Sequence, residues 1–355
     1  MNVREFFFEL PPELIAQEPP EVRGASRLLH LNRATGARTH STIDRLAALL
    51  DPGDLLVVNN TRVFPARLLG HRVPSGGAVE CLLVSRAEVS PVAGAEETWH
   101  ALMHPGQKLA PGARVIFEGH GAVLHGEVLE RHFHGRRTIR LWTEAGRAVQ
   151  EVVDTIGHVP LPPYIKRDDR AGDRERYQTV FARERGSIAA PTAGLHFTPA
   201  IFSTLKDRGV GVAEITLHVG YGTFQPVRVE RVEDHRLEAE HYEISSAAAD
   251  AIEDTRRNGR RLVAVGTTTT RTLEAVALAH GGRIVAGAGA TDLFIYPGFE
   301  FRVVTGLLTN FHLPASSLIM LVAAFGGRDA VMQAYEEAIA ERYRFYSYGD
   351  AMLIT

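Results

Sequence analysis

The 355-residue sequence predicts a layered α/β fold interrupted by a small all-β unit, and three observations predict it. In the second half of the chain, apolar runs of strand length alternate with segments of helical periodicity. Residues 65–140 carry short strand-like runs punctuated by glycine turns, at the spacing of a small barrel or sandwich. The run "LLVV" at 55–58 is continuously apolar, as in a strand that a parallel sheet buries on both faces.

In chain order, "STIDRLAALL" predicts a helix: Ser41 and Asp44 resemble a capping box, and Ile43, Leu46, Ala47 and Leu50 mark one face. Asp51, Pro52 and Gly53 stop it. After the apolar run, six strand-like stretches follow: "ARLLGHRV", "AVECLLVS", "TWHALMH", "ARVIFEG", "AVLHGEVLE" and "RRTIRLW". A helix is expected with Val149, Val152, Val153 and Ile156 on one side. Beyond it, Pro160, Pro162 and Pro163 exclude regular structure, and the mixed charged run after Lys166 reads as a solvated, mobile loop, or as a lid. "TPAIFSTLKDRGV" is a helix with Thr198 as cap, Pro199 in the first turn and Gly209 past its end. Strands are expected over 211–219, 261–265 and 293–296, with helices at "SSAAADAIEDTRRNG" and "RTLEAVALAH" between them. "LLTNFHLP" and two C-terminal helices complete the core. The aromatics of "YRFYSYGDAM" are expected to pack the tail down, with ligand contact as the other reading.

Composition narrows the function classes. A 45% hydrophobic and 23% charged chain is ordinary for a globular protein, and a net charge of −3 opposes a general polyanion binder while allowing a local basic patch. The longest apolar stretch, 318–325, is far short of a bilayer span, and "MNVREFFFEL" lacks the pattern of a secretory signal, so a cytoplasmic location without membrane contact is expected. Cys81 is the sole cysteine, which excludes an internal disulfide and a thiolate zinc site. The 16 histidines form no HExxH pattern, and close pairs such as His132 and His134 lack a partner set, so no metal site is expected.

In open α/β sheets ligands collect beyond the carboxyl ends of strands, so polar residues that end apolar runs are the ones to weigh. Four places qualify: "VVNNTR", "TLHVGYGTF", "LVAVGTTTTRTLE" and "LLTNFHLP". In the second, His218 falls on the face opposite Ile215 and Leu217, and Gly220 and Gly222 can take positive φ and admit a ligand to the backbone; a glycine bulge is the plainer reading. In "APTAGLHFTP", His196 precedes a helix whose dipole favours the neutral, proton-accepting imidazole; a packed loop histidine is the alternative. "GTTTTR" lacks the lysine of a nucleotide-binding P-loop, but its amides with Thr268, Thr269 and Arg271 suit a carboxylate or phosphate, or the threonines simply cap the helix. Arg131, Arg136, Arg137 and Arg140 form the densest basic cluster, either an RNA contact or an exposed strand pair.

Together with "FELPPELIAQEP", "SRLLHL", "GDLLVVNNTRVFPARLLG", "GHVPLPPYI", "YQTVFA", "TNFHLPASSLIMLVAAFGG" and "YRFYSYGDAMLI", these stretches closely resemble, in order and nearly end to end, the S-adenosylmethionine:tRNA ribosyltransferase-isomerases of queuosine biosynthesis. The resemblance implies a layered α/β/α domain (1–62 and 150–355) with an inserted β-barrel domain (63–149). It also implies transfer and isomerisation of the ribosyl part of S-adenosylmethionine onto a 7-aminomethyl-7-deazaguanine at the tRNA wobble position. Epoxyqueuosine-tRNA forms while adenine and methionine leave. S-adenosylmethionine is then a co-substrate, with no permanently bound cofactor and no need of more than a monomer.

In that light the base that removes a C5′ proton beside the sulfonium is one of His196, His218 and His235, gathered with 220–222 around one cleft. Gly220, Tyr221, Gly222, Thr223 and Phe224 would receive the adenosyl group, a ring facing the sulfonium. Asn59, Asn60, Thr61, Arg62, Thr192, Asn310 and His312 join Thr268, Thr269 and Arg271 as candidates for substrate hydrogen bonds. One departure stands out in "EDHRLEAEHYEI": the family usually has a second histidine and a methionine after the histidine, where this chain has Leu237 and Glu238. Two rival readings are an S-adenosylmethionine-dependent RNA methyltransferase, although "VVNNTR" is not its glycine-rich loop, and a non-enzymatic RNA-binding protein.

Overall fold

The structure, a computed structural model, describes residues 1–87, 94–144, 146–220, 222 and 227–355. The chain begins a sheet with β1 (Arg27–Leu31), β2 (Arg38–Thr42) and β3 (Leu55–Asn59), adds the short β4 (Thr61–Val63), and leaves for the insertion. There β5 (Arg67–Val73), β6 (Ala78–Arg86), β7 (Glu96–His104), β8 (Arg114–Gly119), β9 (Ala122–Arg131) and β10 (Arg136–Trp142) close an antiparallel barrel in the order β10-β7-β6-β5-β8-β9. The return brings β11 (Glu184–Ser187), which pairs with β4, then β12 (Gly211–Leu217), β13 (Glu240–Ile244), β14 (Leu262–Val265), β15 (Gly287–Thr291), β16 (Gly306–Asn310) and β17 (Ala351–Ile354). The main sheet has nine strands, ordered β15-β13-β12-β3-β14-β16-β17-β1-β2.

Four neighbours, β12, β3, β14 and β16, run parallel, so their carboxyl ends lie along one rim. All five residues of β3 are buried, as the apolar run predicts. Alternation along it feeds two layers. Leu55 and Val57 join the core under helices Ser246–Arg257, Thr267–Ala279, Ser317–Gly326 and Arg328–Ala340, while Leu56 and Val58 face helix Pro199–Asp207 and the 3-10 helix Ile43–Leu49. This is the α/β/α layering expected. In the barrel each strand sends alternate residues inward, such as Val79, Cys81 and Leu83 from β6. Helix Val149–Ile156 packs Val149, Val152, Val153 and Ile156 into the same core, each such burial contributing about 1.5–3 kcal/mol.

Four local expectations need correction. Ser41 is in β2 rather than a cap: the helix there is 3-10, its N-cap is Thr42, and no side chain caps it. The strand expected at 293–296 lies instead at Gly287–Thr291, where the backbone pairs with β13. The four threonines are not a loop before the helix; they are its first turn, after Gly266 at φ 93°. The charged run after Lys166 is a tethered strap, because Arg167 grips buried Asp173 with two hydrogen bonds of 2.7 and 2.9 Å, and Tyr177 and Tyr348 pack beneath it. The aromatic tail packs as expected, delivering β17 between β16 and β1.

Glu274 ties helix Thr267–Ala279 to the segment that leads into β16. Fully buried, it accepts hydrogen bonds of 2.8–3.0 Å from the amides of Arg302, Val303 and Val304. Glu274→Ala removes the acceptor of three amides at once and is expected to cost about 3 kcal/mol or more of unfolding free energy. Urea unfolding checks this; a midpoint within error of the parent would mean that the carboxylate holds nothing.

Candidate active site

At the rim of the parallel strands, β12 ends at Leu217 and passes His218, Val219 and Gly220 into a cleft of about 1220 Å³ between sheet and barrel. The barrel wall gives Trp99, His100, His132 and Arg136; the sheet side gives His218, Gly220, Gly222, Glu238, Glu240 and Arg271. Phe64 and Arg185 border it, with the Arg185 guanidinium 4.9 Å over the Phe64 ring.

His218 is fixed from behind. Its Nδ1 lies 2.9 Å from the Thr61 hydroxyl, which also contacts the Ser187 hydroxyl at 2.9 Å, while Ser187 accepts the Val219 amide at 2.7 Å. Gly186 is needed here: a Cβ on it would stand 2.6 Å from the imidazole. With Nδ1 engaged, Nε2 is the nitrogen left to take a proton. Burial, and secondarily the neighbouring His241 ring, lower the His218 pKa below its ordinary 6.5, so the ring is neutral at pH 7.

Gly220 is held by a buried carboxylate. Glu240 accepts its amide at 2.9 Å and pairs with Arg271 at 2.6 Å, both side chains being 6% exposed. Arg271 also donates to the carbonyl of Leu293 at 2.8 Å. Gly220 does not take the positive φ expected of it, and a Cβ there would meet Glu240 only at ordinary contact distance. Its lack of a side chain therefore opens the cleft rather than relieving strain. Tyr221, Thr223 and Phe224 lie outside the described residues.

The three histidines do not share this cleft. His196 is buried in a second polar cluster, with Nδ1 3.0 Å from the Ser26 hydroxyl and Nε2 3.2 Å from the Asn310 amide; Thr192 reaches Asn310 at 3.2 Å. His235 packs edge-on against Phe294, a residue of the cleft wall, with its Nε2 buried and without a partner among the described residues. His312 is buried too, its Nε2 2.8 Å from the Thr309 hydroxyl.

Several polar strand ends prove to be internal fasteners. Asn59 donates to the Leu217 carbonyl and accepts the amides of Leu217 and Thr61, at 2.9–3.1 Å, sewing β3 to β12. Asn60 is taken by Thr216 and Glu214, and Asn310 by the Tyr346 carbonyl as well as His196. Thr269 gives its hydroxyl to the Val265 carbonyl one turn back; Thr268 is buried, and Arg62 points outward on β4. Of the arginine cluster, Arg137 is buried, because its guanidinium donates to the carbonyls of Leu109, Arg136 and Gly106 beneath a hairpin. Arg140 pairs with Glu127 at 2.8 Å, and Arg136 pairs with Glu238 across the cleft. Arg131 is exposed. Sequence reading missed Ser187, Gly186 and Glu240; only Glu240 carried a signal, in the same stretch as His235.

Among the described residues no group of histidine, cysteine and carboxylate side chains is arranged to hold a metal, and no helix is long and apolar enough to cross a membrane.

The queuosine biosynthesis protein family model matches residues 3–354. An S-adenosylmethionine:tRNA ribosyltransferase-isomerase from Geobacter sulfurreducens is 52% identical over 355 residues, and one from Desulfitobacterium hafniense 49% over 354, each match covering 100% of both chains. The crystal structure of an S-adenosylmethionine tRNA ribosyltransferase from Thermotoga maritima superposes with a TM-score of 0.54 at 39% identity, covering 99% of this chain and 100% of that one.

Burial holds the His196 imidazole down to about 4. The unfolded chain takes up that proton near 6.5, so between the two values it binds more protons than the fold does, and stability falls as the pH falls. The loss from His196 alone is about 3 kcal/mol across this window. Unfolding free energies measured at pH 7, 5.5 and 4 should show that decline, and His196→Gln should flatten it; equal slopes in both proteins would place the effect elsewhere.

Proposed function

We propose the function from one premise: the chain belongs to the queuosine biosynthesis protein family, and with its relatives it is an S-adenosylmethionine:tRNA ribosyltransferase-isomerase. It moves the ribosyl part of S-adenosylmethionine to the aminomethyl nitrogen of a 7-deazaguanine at the tRNA wobble position and leaves epoxyqueuosine. A carbon–nitrogen bond forms and the ribosyl carbons close into the epoxide-bearing ring through a new carbon–carbon and a new carbon–oxygen bond, while the bonds to adenine and to sulfur and one ring carbon–oxygen bond break. Of the two protons released by the amine and C5′, one leaves on adenine and one goes to solvent, and methionine departs with the sulfur electron pair.

The observation that carries the assignment of roles is a neutral, oriented imidazole beside a bare backbone in a cleft large enough for two substrates. A sulfonium acidifies the C5′ hydrogens next to it, and His218 Nε2 is the acceptor in reach of anything bound against Gly220 and Gly222. Thr61 acts as the positioning residue of that base by fixing Nδ1. Glu240 and Arg271 position the Gly220 backbone. His196, Thr192, Asn310 and His312 support the rim from within, and His235 supports the Phe294 wall. Arg136 and Arg131 are the cations on the barrel side that suit a phosphate backbone. S-adenosylmethionine is a consumed co-substrate and no permanent cofactor belongs to the reaction. We place the protein in the cytoplasm as a monomer, with residues 63–149 as a barrel domain inserted between 1–62 and 150–355.

His218→Gln is expected to abolish turnover while S-adenosylmethionine still binds. The parent's kcat/KM should fall on acidification with an inflection below 6.5, where the imidazole becomes protonated. Release of adenine from adenosyl-labelled S-adenosylmethionine in the presence of substrate tRNA is the measurement, since methyl transfer liberates none. Near-normal turnover of His218→Gln would remove His218 from the role of base.

A further inference from the structure

The hairpin that joins β9 to β10 presents Phe133 with 89% of its surface exposed, the most exposed large apolar side chain among the described residues. An aromatic ring left in water gains nothing for folding, yet this hairpin is built to hold it there. His134 at φ 54° and Gly135 at φ 82° turn the chain through two consecutive left-handed residues, a conformation that histidine adopts only at a cost. The Arg136 amide closes the turn on the Phe133 carbonyl, and the His132 amide bonds the Arg136 carbonyl at 2.9 Å. Beneath it lies the buried Arg137 guanidinium, whose bonds to the carbonyls of Leu109, Arg136 and Gly106 pin the hairpin to the barrel.

The surroundings are cationic and polar. His104, Gln107, Arg131, His132 and His134 line a shallow hollow of about 500 Å³ at the Phe133 ring, and exposed Lys108 follows Gln107. Neither Arg131 nor Lys108 has an ion pair among the described residues; the acidic neighbour is Glu130, 3.4 Å from His132. His132 and Arg137 border this hollow and the large cleft alike, so the two are neighbours on the barrel surface. An exposed flat ring flanked by unpaired cations is the arrangement that binds single-stranded nucleic acid: the ring stacks on a base and the cations meet its phosphates.

We infer that Phe133 is a stacking platform for an unpaired nucleobase of the tRNA anticodon loop, with Arg131 and Lys108 on the flanking phosphates, while the base to be modified enters the cleft. This rests on the tRNA substrate proposed above and adds the contact that would hold the loop open beside the site. It also accounts for a protein of net charge −3 that binds a polyanion: recognition is concentrated on one hairpin rather than spread over the surface.

Equilibrium titrations of fluorescent RNA test it. Phe133→Ala should weaken binding of an anticodon stem-loop roughly tenfold and leave binding of a blunt RNA duplex as in the parent, and Phe133→Trp should restore the stem-loop affinity. Arg131→Ser with Lys108→Ser should weaken both RNAs and flatten the salt dependence. Stem-loop affinity unchanged in Phe133→Ala, or lost equally for the duplex, overturns the inference, as does a parent dimer in sedimentation that Phe133→Ala dissolves. Adenine release by the parent is scored separately: its absence would refute the proposed reaction, whereas the titrations decide the hairpin's part whatever the chemistry.

Discussion

Arg271 and Glu240 sit nearly out of reach of water, 2.6 Å apart, and each also bonds backbone, Glu240 the Gly220 amide in the cleft and Arg271 the Leu293 carbonyl next to Phe294 of its wall. Removing two charges from water costs several kcal/mol apiece, and only close pairing with further hydrogen bonds offsets it. Those bonds fix the Gly220 amide on one side and the Leu293 carbonyl on the other. The start of β13, the first turns of helix Thr267–Ala279 and the segment after β12 are thereby held in one relation. Replacing either partner alone would strand a buried charge, so the pair is suited to define geometry more than to add stability.

The same constraint explains why so many polar residues gather along the rim without touching the cleft. Four parallel strands end side by side, and where they end their amides and carbonyls lose the sheet as a partner. Asn59 replaces the missing ladder between β3 and β12 by bonding both polar groups of Leu217. Asn310 does related work for the Tyr346 carbonyl and the buried His196 ring. Asparagine suits such places because its amide carries the same donor and acceptor as a peptide unit. His218 differs from these in one respect that matters: among the described residues only one of its nitrogens has a hydrogen-bond partner.

That difference marks the limit of what the sequence discloses. A continuously apolar run located β3, and the spacing of apolar residues and turns located all six barrel strands and the helix capped by Thr198, because burial against a layer is written in the order of side chains. The rim was legible as well, since apolar runs that stop at polar residues are strand ends in this class of sheet. Which rim residue faces the cleft was not legible. His196 and His218 both follow a short apolar context, and a Thr61 hydroxyl brought from 157 positions away decides the setting of one of them. Glu240 and Gly186 were missed for the same reason: each acquires its meaning from a partner distant in sequence. The helix at Thr267 was misplaced because threonine is a poor helix former, and here buried hydroxyls bond carbonyls four residues back.

The departure from the family pattern at Glu238 lies where the barrel meets the sheet side of the cleft. Glu238 is one of the two positions at which this chain departs from the family pattern, and its carboxylate is met by Arg136 from β10 on the far side of the cleft. Both side chains are about two-fifths exposed, so the pair is weak in water and cannot be what holds the barrel in place. Apolar contact does that: Phe64, Ala66 and Ile188, from the two strands of chain that enter and leave the insertion, share one core with the barrel interior and helix Val149–Ile156. The barrel wall keeps its place over the imidazole through that shared apolar core.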